Sequence, residues 1–335
     1  MRLVTFEPPG TKGPRLGLEI GGSAVDLARA GQWLATRRQP TVTPLPADML
    51  ELLEAGPAAW KTAEDVAGYL AAESLLELSD ANGVPFAWPV EQVRRRPPLP
   101  RPPSLRDFYA FEQHVQAALA SRGRAVPPEW YEFPVFYFSN THAIVGPGDV
   151  VTAPAASRAL DFELEVAAVI GRGGRNLRAE EAERAIFGFT IMNDWSARDL
   201  QRAEMRVGLG PAKGKDFATS LGPSIVTVDE LAGRSAGRPG VYDLAMRARL
   251  NGIERSKGNW RDIHFSFGEM LARASADVDL LPGDVIGSGT VGTGCLLELT
   301  RGEGPWLQPG DVVELEIEGI GVLTNTVGPV KPPEG

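Results

Sequence analysis

The chain has 335 residues, 43% of them hydrophobic, so it is long enough for one large domain or two ordinary domains, and its composition excludes disorder. Its formal net charge of -9 repels polyanions, which excludes nucleic acid and an anionic membrane as main partners. The single cysteine excludes an internal disulfide framework, and no apolar run has secretory or transmembrane length, so we expect a cytoplasmic protein.

Residues 1–96 predict a small α+β domain. Arg2 to Phe6 and Leu16 to Ile20 have strand-like composition, and the stretches ADMLELLEAG and KTAEDVAGYLAAESLLEL carry apolar residues at helical spacing. The sequence VRRRPPLPRPPSL begins at Val93, and its prolines favour extended backbone over a regular helix. We therefore place a domain boundary after residue 96 and interpret the arginine run as a solvated linker, since the chain is acidic overall.

Residues 97–335 predict a mainly β domain with a few helices. Short strand-like runs are separated by glycine and proline: VFYFSN, DFELEVAAVIG, SIVTV, YDLAMRARLNG, DVIGSG and DVVELEIEG. Asn251-Gly252 is a strong signal for a two-residue hairpin turn. The segment GSGTVG satisfies the GxGxxG pattern of nucleotide-binding folds, but the following LLELT reads as a strand where those folds need a helix, so we assign its glycines to turns and bulges.

Acidic residues alternate with apolar residues on two predicted strands. Asp161, Glu163 and Glu165 would share one strand face with a spacing of about 7 Å, and each adjacent pair would repel by about 2 kcal/mol at an effective dielectric of roughly 20. A bound cation would relieve this repulsion, but so would water, and residues 314–318 (ELEIE) alternate in the same way. From the pattern alone, a solvated face is the favoured interpretation of both strands.

The segment SLRDFYAFEQHVQAALASR predicts a helix that ends at Gly123. Ser104 stands three residues before Asp107, as in a capping box. Asp107 and His114 would then share a helical face, about 10 Å apart along the axis, which leaves room for a metal at one residue and a base at the other. In the alternative interpretation, Asp107 only stabilises the first helical turn and His114 has no chemical role. The pattern alone favours this alternative.

The segment TIMNDWSARDLQRAEMR predicts a strand followed by a helix. Asp194 would cap this helix, and Arg198 and Gln201 would follow at i+4 and i+7. Such a junction often carries functional side chains, although the pattern alone favours a simple cap.

The lysines of GLGPAKGKDFATS either reach an anionic substrate or belong to a surface turn. Cys295 lies in an apolar run, which favours a buried, inert thiol. The three histidines are far apart in sequence, so any metal site must rely on oxygen ligands.

Together these segments resemble the fumarylacetoacetate hydrolase superfamily, and the fumarylacetoacetases more closely than the shorter acylpyruvase-like members. The matching stretches occur in the family's order over most of residues 104–325: DFYAFEQH, PVFYFSN, DFELEVAAVIG, MNDWSARDLQ, GKDFATS and GSGT followed by LLEL. Several motifs in order are more specific than any one of them. The resemblance implies an α+β homodimer, in which a smaller N-terminal α+β domain precedes a mainly β catalytic domain with rolled mixed sheets.

The resemblance also implies a metal site and a base. The cation would be Mg²⁺ or Ca²⁺, with Mn²⁺ as an alternative, because its implied ligands are the hard oxygens of Asp107, Glu163, Glu165 and Asp194. The acids of residues 314–318 fall outside this site. His114 would be the general base, and Glu298 would orient it.

The remaining implied residues contact the substrate. Near the oxyanion or the leaving group the resemblance implies Arg198, Gln201 and Lys215. Further substrate contacts are implied for Tyr109, Tyr137, Thr290 and, with the register shifted by one residue, Arg122. The lysine and the cation would supply positive charge for an anionic substrate that the acidic chain otherwise lacks.

The activity that the resemblance implies is metal-dependent hydrolysis of a carbon–carbon bond in a small anionic 3,5-diketo acid. The leading substrate is fumarylacetoacetate, which yields fumarate and acetoacetate in tyrosine degradation. One alternative is a Mg²⁺-dependent decarboxylase, hydratase or isomerase that acts on 2-oxo acids in aromatic catabolism. A second alternative is a non-catalytic cation-binding domain, but His114 and Glu298 argue against it because a structural metal site needs no base.

Overall fold

Strands are the main elements of the fold, which a computed structural model describes for residues 1–11, 13–37 and 43–330. The N-terminal strands are β1 (Arg2–Glu7), β2 (Arg15–Ile20), β3 (Ser23–Asp26), β4 (Ala87–Pro89) and β5 (Arg94–Arg96). The helices of this part are α1 (Leu27–Arg37), α2 (Met49–Ala55) and α3 (Pro57–Leu70). Both predicted strands and the first helical stretch are therefore confirmed, whereas the second stretch is α-helical only as far as Leu70.

The rest of the described chain is mainly β. Its strands are β6 (Leu105–Phe108), β7 (Phe136–Phe138), β8 (Ile144–Val145), β9 (Val150–Val151), β10 (Leu160–Asp161), β11 (Leu164–Ile170), β12 (Ile186–Asp194), β13 (Ser196–Ala197), β14 (Thr219–Thr227), β15 (Ala245–Leu250), β16 (Ile253–Asn259), β17 (Val285–Gly287), β18 (Val312–Ile317) and β19 (Gly321–Val327). Its helices are α4 (Glu112–Ala120), α5 (Glu129–Glu132), α6 (Ala179–Ala182), α7 (Arg198–Val207), α8 (Val228–Leu231), α9 (Phe267–Ala274) and α10 (Leu296–Leu299).

The strands form mixed sheets, which confirms the predicted fold class. The largest sheet has the order β4-β3-β2-β1-β14-β12-β11-β17-β6-β7, with β5 paired to β1 and β8 paired to β14. A second sheet has the order β16-β15-β18-β19-β9, and β10 pairs with β13. None of the described helices is both long enough and apolar enough to cross a membrane.

The N-terminal strands belong to the same sheet as the strands of the predicted catalytic domain. β1 pairs with β14, with Leu3 opposite Ile225, and β5, which contains the arginines of the predicted linker, pairs with β1. Apolar side chains from both parts, including Leu52 and Phe187, pack in one core cluster. The domain boundary after residue 96 stays a prediction, and residues 331–335 of the predicted catalytic domain lie outside the described part of the chain.

The strand ends bring acidic residues to one edge of the largest sheet. β11 is antiparallel to both β12 and β17, and β17 is parallel to β6. The carboxyl ends of β6, β12 and β17 therefore meet the amino end of β11 at this edge. Asp107 on β6, Glu165 on β11 and Asp194 on β12 lie there, and Gly287 pairs with Asp107 between them. Every residue of β11 and β12 is buried, so this edge is a fixed part of the core.

The predicted helix at residues 104–122 is wrong in its first part. Leu105–Phe108 is a strand because it pairs with Val285–Gly287, and α4 begins only at Glu112. The Ser104 hydroxyl does not cap a helix but donates to Asp284, 2.6 Å away. Asp107 and His114 therefore lie on different elements and not on one helical face.

Two further local predictions are also wrong. Asp194 ends β12 and does not cap α7, which begins at Arg198 after Ala197, a residue without a side-chain cap. The LLEL segment forms the one-turn helix α10 and not a strand. Gly287, assigned above to a turn or bulge, is a strand residue. Sheet pairing decides the conformation of Asp194 and Gly287, while the first N–H groups of α10 donate to Asp161.

The predicted hairpin at Asn251-Gly252 is confirmed and offers a test with matched glycine substitutions. Both turn residues have positive φ (54° and 75°), and β15 and β16 flank them. Gly252→Ala should lower the free energy of unfolding by about 1 kcal/mol, since alanine disfavours this conformation.

Gly68 is the matched control. It is exposed on α3, and an added Cβ would meet nothing within 4 Å. Gly68→Ala should raise the free energy of unfolding by about 0.5–1 kcal/mol, because alanine favours the helix. Urea titration measures both values, and a loss of stability in both variants would contradict the account.

Candidate active site

The predicted site residues surround one cavity of about 390 Å³ at the acidic edge of the largest sheet. Those that line it are Asp107, Tyr109, His114, Arg122, Tyr137, Glu163, Glu165, Arg198, Gln201, Lys215 and Thr290. Asp194 and Glu298 lie directly behind the lining, where they are bonded to Tyr137 and His114, respectively. The structure thus brings together residues that are far apart in sequence.

Three of the predicted metal ligands form an oxygen cluster. One carboxylate oxygen each of Asp107, Glu165 and Asp194 lies within 4.8 Å of the others, and all three side chains are buried. Each of these residues also has one buried oxygen without a hydrogen-bond partner among the described residues. Such oxygens are costly to bury. Three converging carboxylates are the donor set that Mg²⁺, Ca²⁺ or Mn²⁺ prefers, so the residues fit a hard divalent cation.

Gly287 allows these carboxylates to approach one another. A Cβ at this position would lie 2.8 Å from Asp107 Oδ1 and 3.2 Å from Glu165 Oε2, so only glycine leaves the space between them open. The Gly289 N–H donates to Glu165 Oε2 at 3.0 Å and fixes that carboxylate. These two glycines therefore belong to the site. The sequence-based prediction had assigned them only to turns and bulges.

Tyr137 joins two carboxylates of the cluster. Its hydroxyl lies 3.0 Å from Asp107 Oδ2 and also donates to Asp194 Oδ2. Burial raises the pKa of Tyr137 well above its ordinary value, and the negative charge of Asp194 adds to this effect. Tyr137 therefore stays a neutral donor that orients the two acids, in addition to its predicted contact with substrate.

Glu163 lies next to the cluster, but basic side chains occupy its oxygens. Lys215 Nζ donates to Glu163 Oε2 and to Asp194 Oδ2, and Arg198 Nη2 lies 2.8 Å from Glu163 Oε1. Although burial acts to raise it, the pKa of Glu163 is lowered, because Lys215 and Arg198 stabilise its charge. The role of Glu163 as a fourth ligand stays a prediction.

The three cluster acids are difficult to ionise without a cation. Burial raises the pKa of Asp107 and Glu165 well above their ordinary values, and neighbouring carboxylates raise both further. Burial also raises the pKa of Asp194, but Lys215 opposes this. A carboxyl with a raised folded-state pKa destabilises the fold as pH rises through that pKa, so a cation and protons compete for the same oxygens.

His114 lines the cavity and pairs with Glu298, which lies behind it, and both side chains are buried. His114 Nδ1 lies 2.5 Å from Glu298 Oε1, and Glu298 Oε2 accepts the Thr293 N–H at 2.9 Å. Because an ionised carboxylate only accepts hydrogen bonds, Nδ1 carries the proton and Nε2 is left as the acceptor. Nε2 is 4.0 Å from Glu163 Oε1 and so faces the acids. This is the arrangement of a general base held by a carboxylate.

Asp161 contributes to the site although no role in the site was predicted for it. Its carboxylate is buried, pairs with Arg198 at 2.8 Å and accepts the N–H groups of Leu296 and Leu297 at 2.8 Å and 3.0 Å. It therefore joins Arg198, which contacts Glu163, to the start of the helix that carries Glu298. The sequence feature that could have indicated this role is the position of Asp161 at the start of the DFELE segment.

The second set of alternating acids has a different environment. Glu316 pairs with Arg249 at 2.6 Å and with Arg247 at 3.4 Å, and Glu318 pairs with the half-exposed Arg234. These acids lie on a partly exposed sheet face and do not line the cavity. The solvated-face interpretation is thus right for residues 314–318 and wrong for the buried residues 161–165.

The other predicted residues occupy the cavity wall. The Arg198 guanidinium donates to Gln201 Oε1 at 3.1 Å, and Arg122 is exposed at the mouth beyond the buried residues. Cys295 is fully buried, and burial raises the pKa of its thiol well above the ordinary value, which confirms the prediction of a buried thiol that does not ionise readily.

A family model described as fumarylacetoacetate (FAA) hydrolase C-terminal matches residues 104–328. This chain belongs to the fumarylacetoacetate hydrolase family. It is 32% identical over 332 residues to the oxaloacetate tautomerase FAHD2A, mitochondrial, of Bos taurus, and the alignment covers 98% of this chain and 91% of that protein.

Solved structures of the fumarylacetoacetate hydrolase family have the same fold. A fumarylacetoacetate hydrolase from Exiguobacterium antarcticum is similar to this chain with a TM-score of 0.69 and 27% identity, covering 99% of this chain and 100% of that chain. A maleylpyruvate hydrolase from Sphingobium sp. SYK-6, in complex with manganese(II) ion and pyruvate, has a TM-score of 0.66 and 25% identity, covering 99% and 100% of the two chains.

Removal of one cluster carboxylate should weaken cation binding by at least about tenfold, because a hard cation loses an anionic oxygen ligand. We expect this of Asp107→Asn and of Glu165→Gln, with Mn²⁺ affinity measured by calorimetry. Without cation, neither variant should have a lower Tm than the parent, since each substitution removes like-charge repulsion.

Glu314→Gln, on the other alternating strand, is the control. It removes the same charge from a partly exposed sheet face and should leave Mn²⁺ affinity unchanged. Undiminished Mn²⁺ binding by both cluster variants would refute the assignment of the cation to this edge.

The stabilisation that Mn²⁺ provides should depend on pH. The raised pKa values of Asp107 and Glu165 mean that protons occupy these oxygens at low pH. The Mn²⁺-induced rise in Tm should therefore increase between about pH 5.5 and about pH 8, as the protons leave. Thermal denaturation with and without Mn²⁺ measures this rise, and a rise that is constant over the range would contradict the prediction.

Proposed function

We propose that this chain is a divalent-cation-dependent enzyme that acts on a 2-oxo acid with a second activating carbonyl or carboxylate group, through an enolate. The observation that carries the proposal is one cavity that combines three carboxylates with unbonded oxygens and the buried pair of His114 and Glu298. The carboxylates suit a hard cation, and the pair of His114 and Glu298 suits a base. A site for a structural metal alone would not need the pair of His114 and Glu298.

Each part of the site has a distinct role in this chemistry. A cation held by Asp107, Glu165 and Asp194 would polarise a carbonyl. His114 Nε2 takes a proton from carbon or from water, and Glu298 stabilises the resulting imidazolium. Although burial opposes it, the pKa of Lys215 is raised by Asp194 and Glu163, so its ammonium group stays charged and can stabilise an oxyanion.

The first specific reaction that we propose is keto–enol tautomerisation of oxaloacetate. The similarity to the Bos taurus tautomerase, which extends over almost the whole chain, supports it. His114 removes a proton from carbon 3, and a proton is returned to the oxygen on carbon 2, so no other bond is made or broken. This reaction needs a base and an oxyanion site but no attacking water.

The second candidate is hydrolysis of the carbon–carbon bond of a 3,5-diketo acid such as fumarylacetoacetate. The buried Glu298 behind His114 favours it, because a histidine held in this way can deprotonate a water molecule. Hydroxide adds to the carbonyl carbon, the bond to the neighbouring carbon breaks, and the departing enolate takes up a proton. Gln201 and Lys215 line the cavity where this group would leave.

Product analysis separates these reactions. Purified protein with Mn²⁺ is supplied in turn with oxaloacetate, fumarylacetoacetate and an acylpyruvate, and products are followed by NMR and absorbance. Tautomerisation changes only the keto–enol ratio, hydrolysis yields two acids, and a decarboxylase of aromatic catabolism would release CO₂. Bound Mn²⁺ without turnover of any compound would refute the enzyme proposal and favour a cation-binding domain.

His114→Asn should lower kcat by about 10²–10⁴-fold, because it removes the proposed base. Mn²⁺ affinity should stay within about threefold of the parent value, since His114 is not among the cluster acids. His142→Asn is the control, because His142 is exposed and does not line the cavity. Parent-like turnover by His114→Asn, measured at saturating Mn²⁺, would remove His114 from the mechanism.

Two further predictions concern the protein as a whole. We propose a homodimer in the cytoplasm whose substrate is a small anion, while the Bos taurus relative is named as mitochondrial. Sedimentation at several protein concentrations measures the oligomeric state, and a concentration-independent monomer would contradict the dimer.

A further inference from the structure

The two lysines of the GLGPAKGKDFATS segment have opposite environments. Lys213 is 75% exposed, whereas Lys215 is 6% exposed and its ammonium group donates to Glu163 and Asp194. Both lysines belong to a turn at residues 212–217, which we call the lysine turn. Because the two lysines are so close in the chain, the placement of this turn decides which ammonium group enters the cavity.

A carboxylate on α7 holds the start of the lysine turn. Glu204 Oε1 accepts the Lys213 N–H at 2.7 Å, and Glu204 Oε2 accepts the N–H groups of Ala212 and Gly214 at 2.9 Å and 3.1 Å. Successive N–H groups that converge in this way form a concave binding site for an anion. Here the anion is a side chain of the protein itself, so the contact joins the lysine turn to α7.

The position of Glu204 on α7 is unfavourable for an acid. Glu204 lies in the last turn of the helix, where the negative end of the helix dipole disfavours a carboxylate. Although burial acts to raise it, the pKa of Glu204 is lowered, because the three N–H groups stabilise its charge. The contact with the lysine turn therefore offsets the unfavourable position and keeps this acid ionised.

The lysine turn also approaches α7 through Gly214. A Cβ at Gly214 would lie 2.7 Å from Gln201 N and 2.8 Å from Gln201 Cα, so only glycine allows this approach. At the far end of the turn, Asn140 Nδ2 donates to the Asp216 carbonyl at 2.9 Å. Between α7 and the turn, Leu209 is 94% exposed, so its side chain does not anchor the connection. The start of the lysine turn therefore depends for its place on the carboxylate of α7 and on this glycine.

We propose that Glu204 is a positioning residue: its carboxylate holds the lysine turn against α7, so that the Lys215 ammonium group reaches the buried acids. The same helix begins with Arg198, which contacts Glu163, so Glu204 also fixes the two cations of the site relative to each other. A misplacement of about 1 Å in an active site can lower the rate about 10²-fold. The inference rests on the proposed function for the catalytic role of Lys215 but not for the position of its ammonium group.

Chemical modification of Lys215 tests this inference without turnover and without added cation. Acetic anhydride reacts with a neutral amine, so a buried and ion-paired ammonium group is acetylated slowly. In Glu204→Ala the lysine turn should leave α7, and Lys215 should be acetylated at least about tenfold faster than in the parent protein, as measured by mass spectrometry. The exposed Lys61 is the internal reference and should react equally fast in both proteins. If the two carboxylates alone hold Lys215, its acetylation rate stays unchanged in folded Glu204→Ala, and the proposal fails.

Two further variants separate the position of the turn from general stability. Asp80→Ala is the matched control, because Asp80 is also partly exposed and accepts the N–H groups of Asn82 and Val84 at 2.9 Å and 3.0 Å, in a loop that does not line the cavity. It should leave the acetylation of Lys215 unchanged, and acceleration equal to that in Glu204→Ala would overturn the proposal.

Glu204→Gln is the conservative variant. Its remaining carbonyl oxygen can accept only part of the three N–H bonds, so Lys215 should be acetylated at a rate between those of the parent and of Glu204→Ala. If Glu204→Ala does not fold, a parent-like rate in Glu204→Gln would overturn the proposal instead.

Kinetic measurements show the consequence for turnover. Glu204→Ala should lower kcat at least about tenfold and change KM less, because Lys215 would no longer stabilise the oxyanion in the transition state. Mn²⁺ affinity should stay within about threefold of the parent value, since Glu204 is not among the cluster acids. Faster acetylation of Lys215 together with a parent-like kcat would overturn the positioning role. If the parent protein turns over none of the compounds supplied, the proposed function fails, and acetylation still decides whether Glu204 holds Lys215 in place.

Discussion

Negative charge is buried at the edge of the largest sheet, and the organisation of the site depends on how that charge is balanced. Five carboxylates of the described residues are buried there: Asp107, Asp161, Glu163, Glu165 and Asp194. Arg198 contacts Asp161 and Glu163, Lys215 contacts Glu163 and Asp194, and together they hold Glu163 ionised. A buried ion costs several kcal/mol unless it is paired. The remaining excess of three charges lies next to three acids with unbonded oxygens, where a divalent cation would offset two of those charges.

The same contacts connect the cation cluster to the proposed base. Asp161 holds Arg198 and the start of α10, and α10 supplies Glu298 to His114. Arg198 also contacts Glu163, which shares Lys215 with Asp194. A change in one part therefore alters the charge and position of the next. On the outer side, α7 continues from Arg198 to the exposed Arg202 and Arg206, so the helix that neutralises the buried acids also carries positive charge to the surface.

Local sequence patterns predicted the structure correctly where the conformation depends on residues that are close together in the sequence. Asn251-Gly252 predicted its hairpin because the turn itself needs positive φ. Asp107 was misplaced because Ser104 has its partner 180 residues away, at Asp284. Residues 161–165 and 314–318 have the same alternation but opposite surroundings, so only the order of several family motifs could distinguish them.

The central claim is that one divalent cation neutralises the buried acids beside the base. The most direct test is a crystal structure with Mn²⁺ and oxalate, with anomalous differences recorded for manganese. We predict one strong anomalous peak between the carboxylates of Asp107, Glu165 and Asp194, with oxalate on its cavity side within reach of Lys215. A manganese peak at another place, or no peak at this edge at saturating Mn²⁺, would contradict the account.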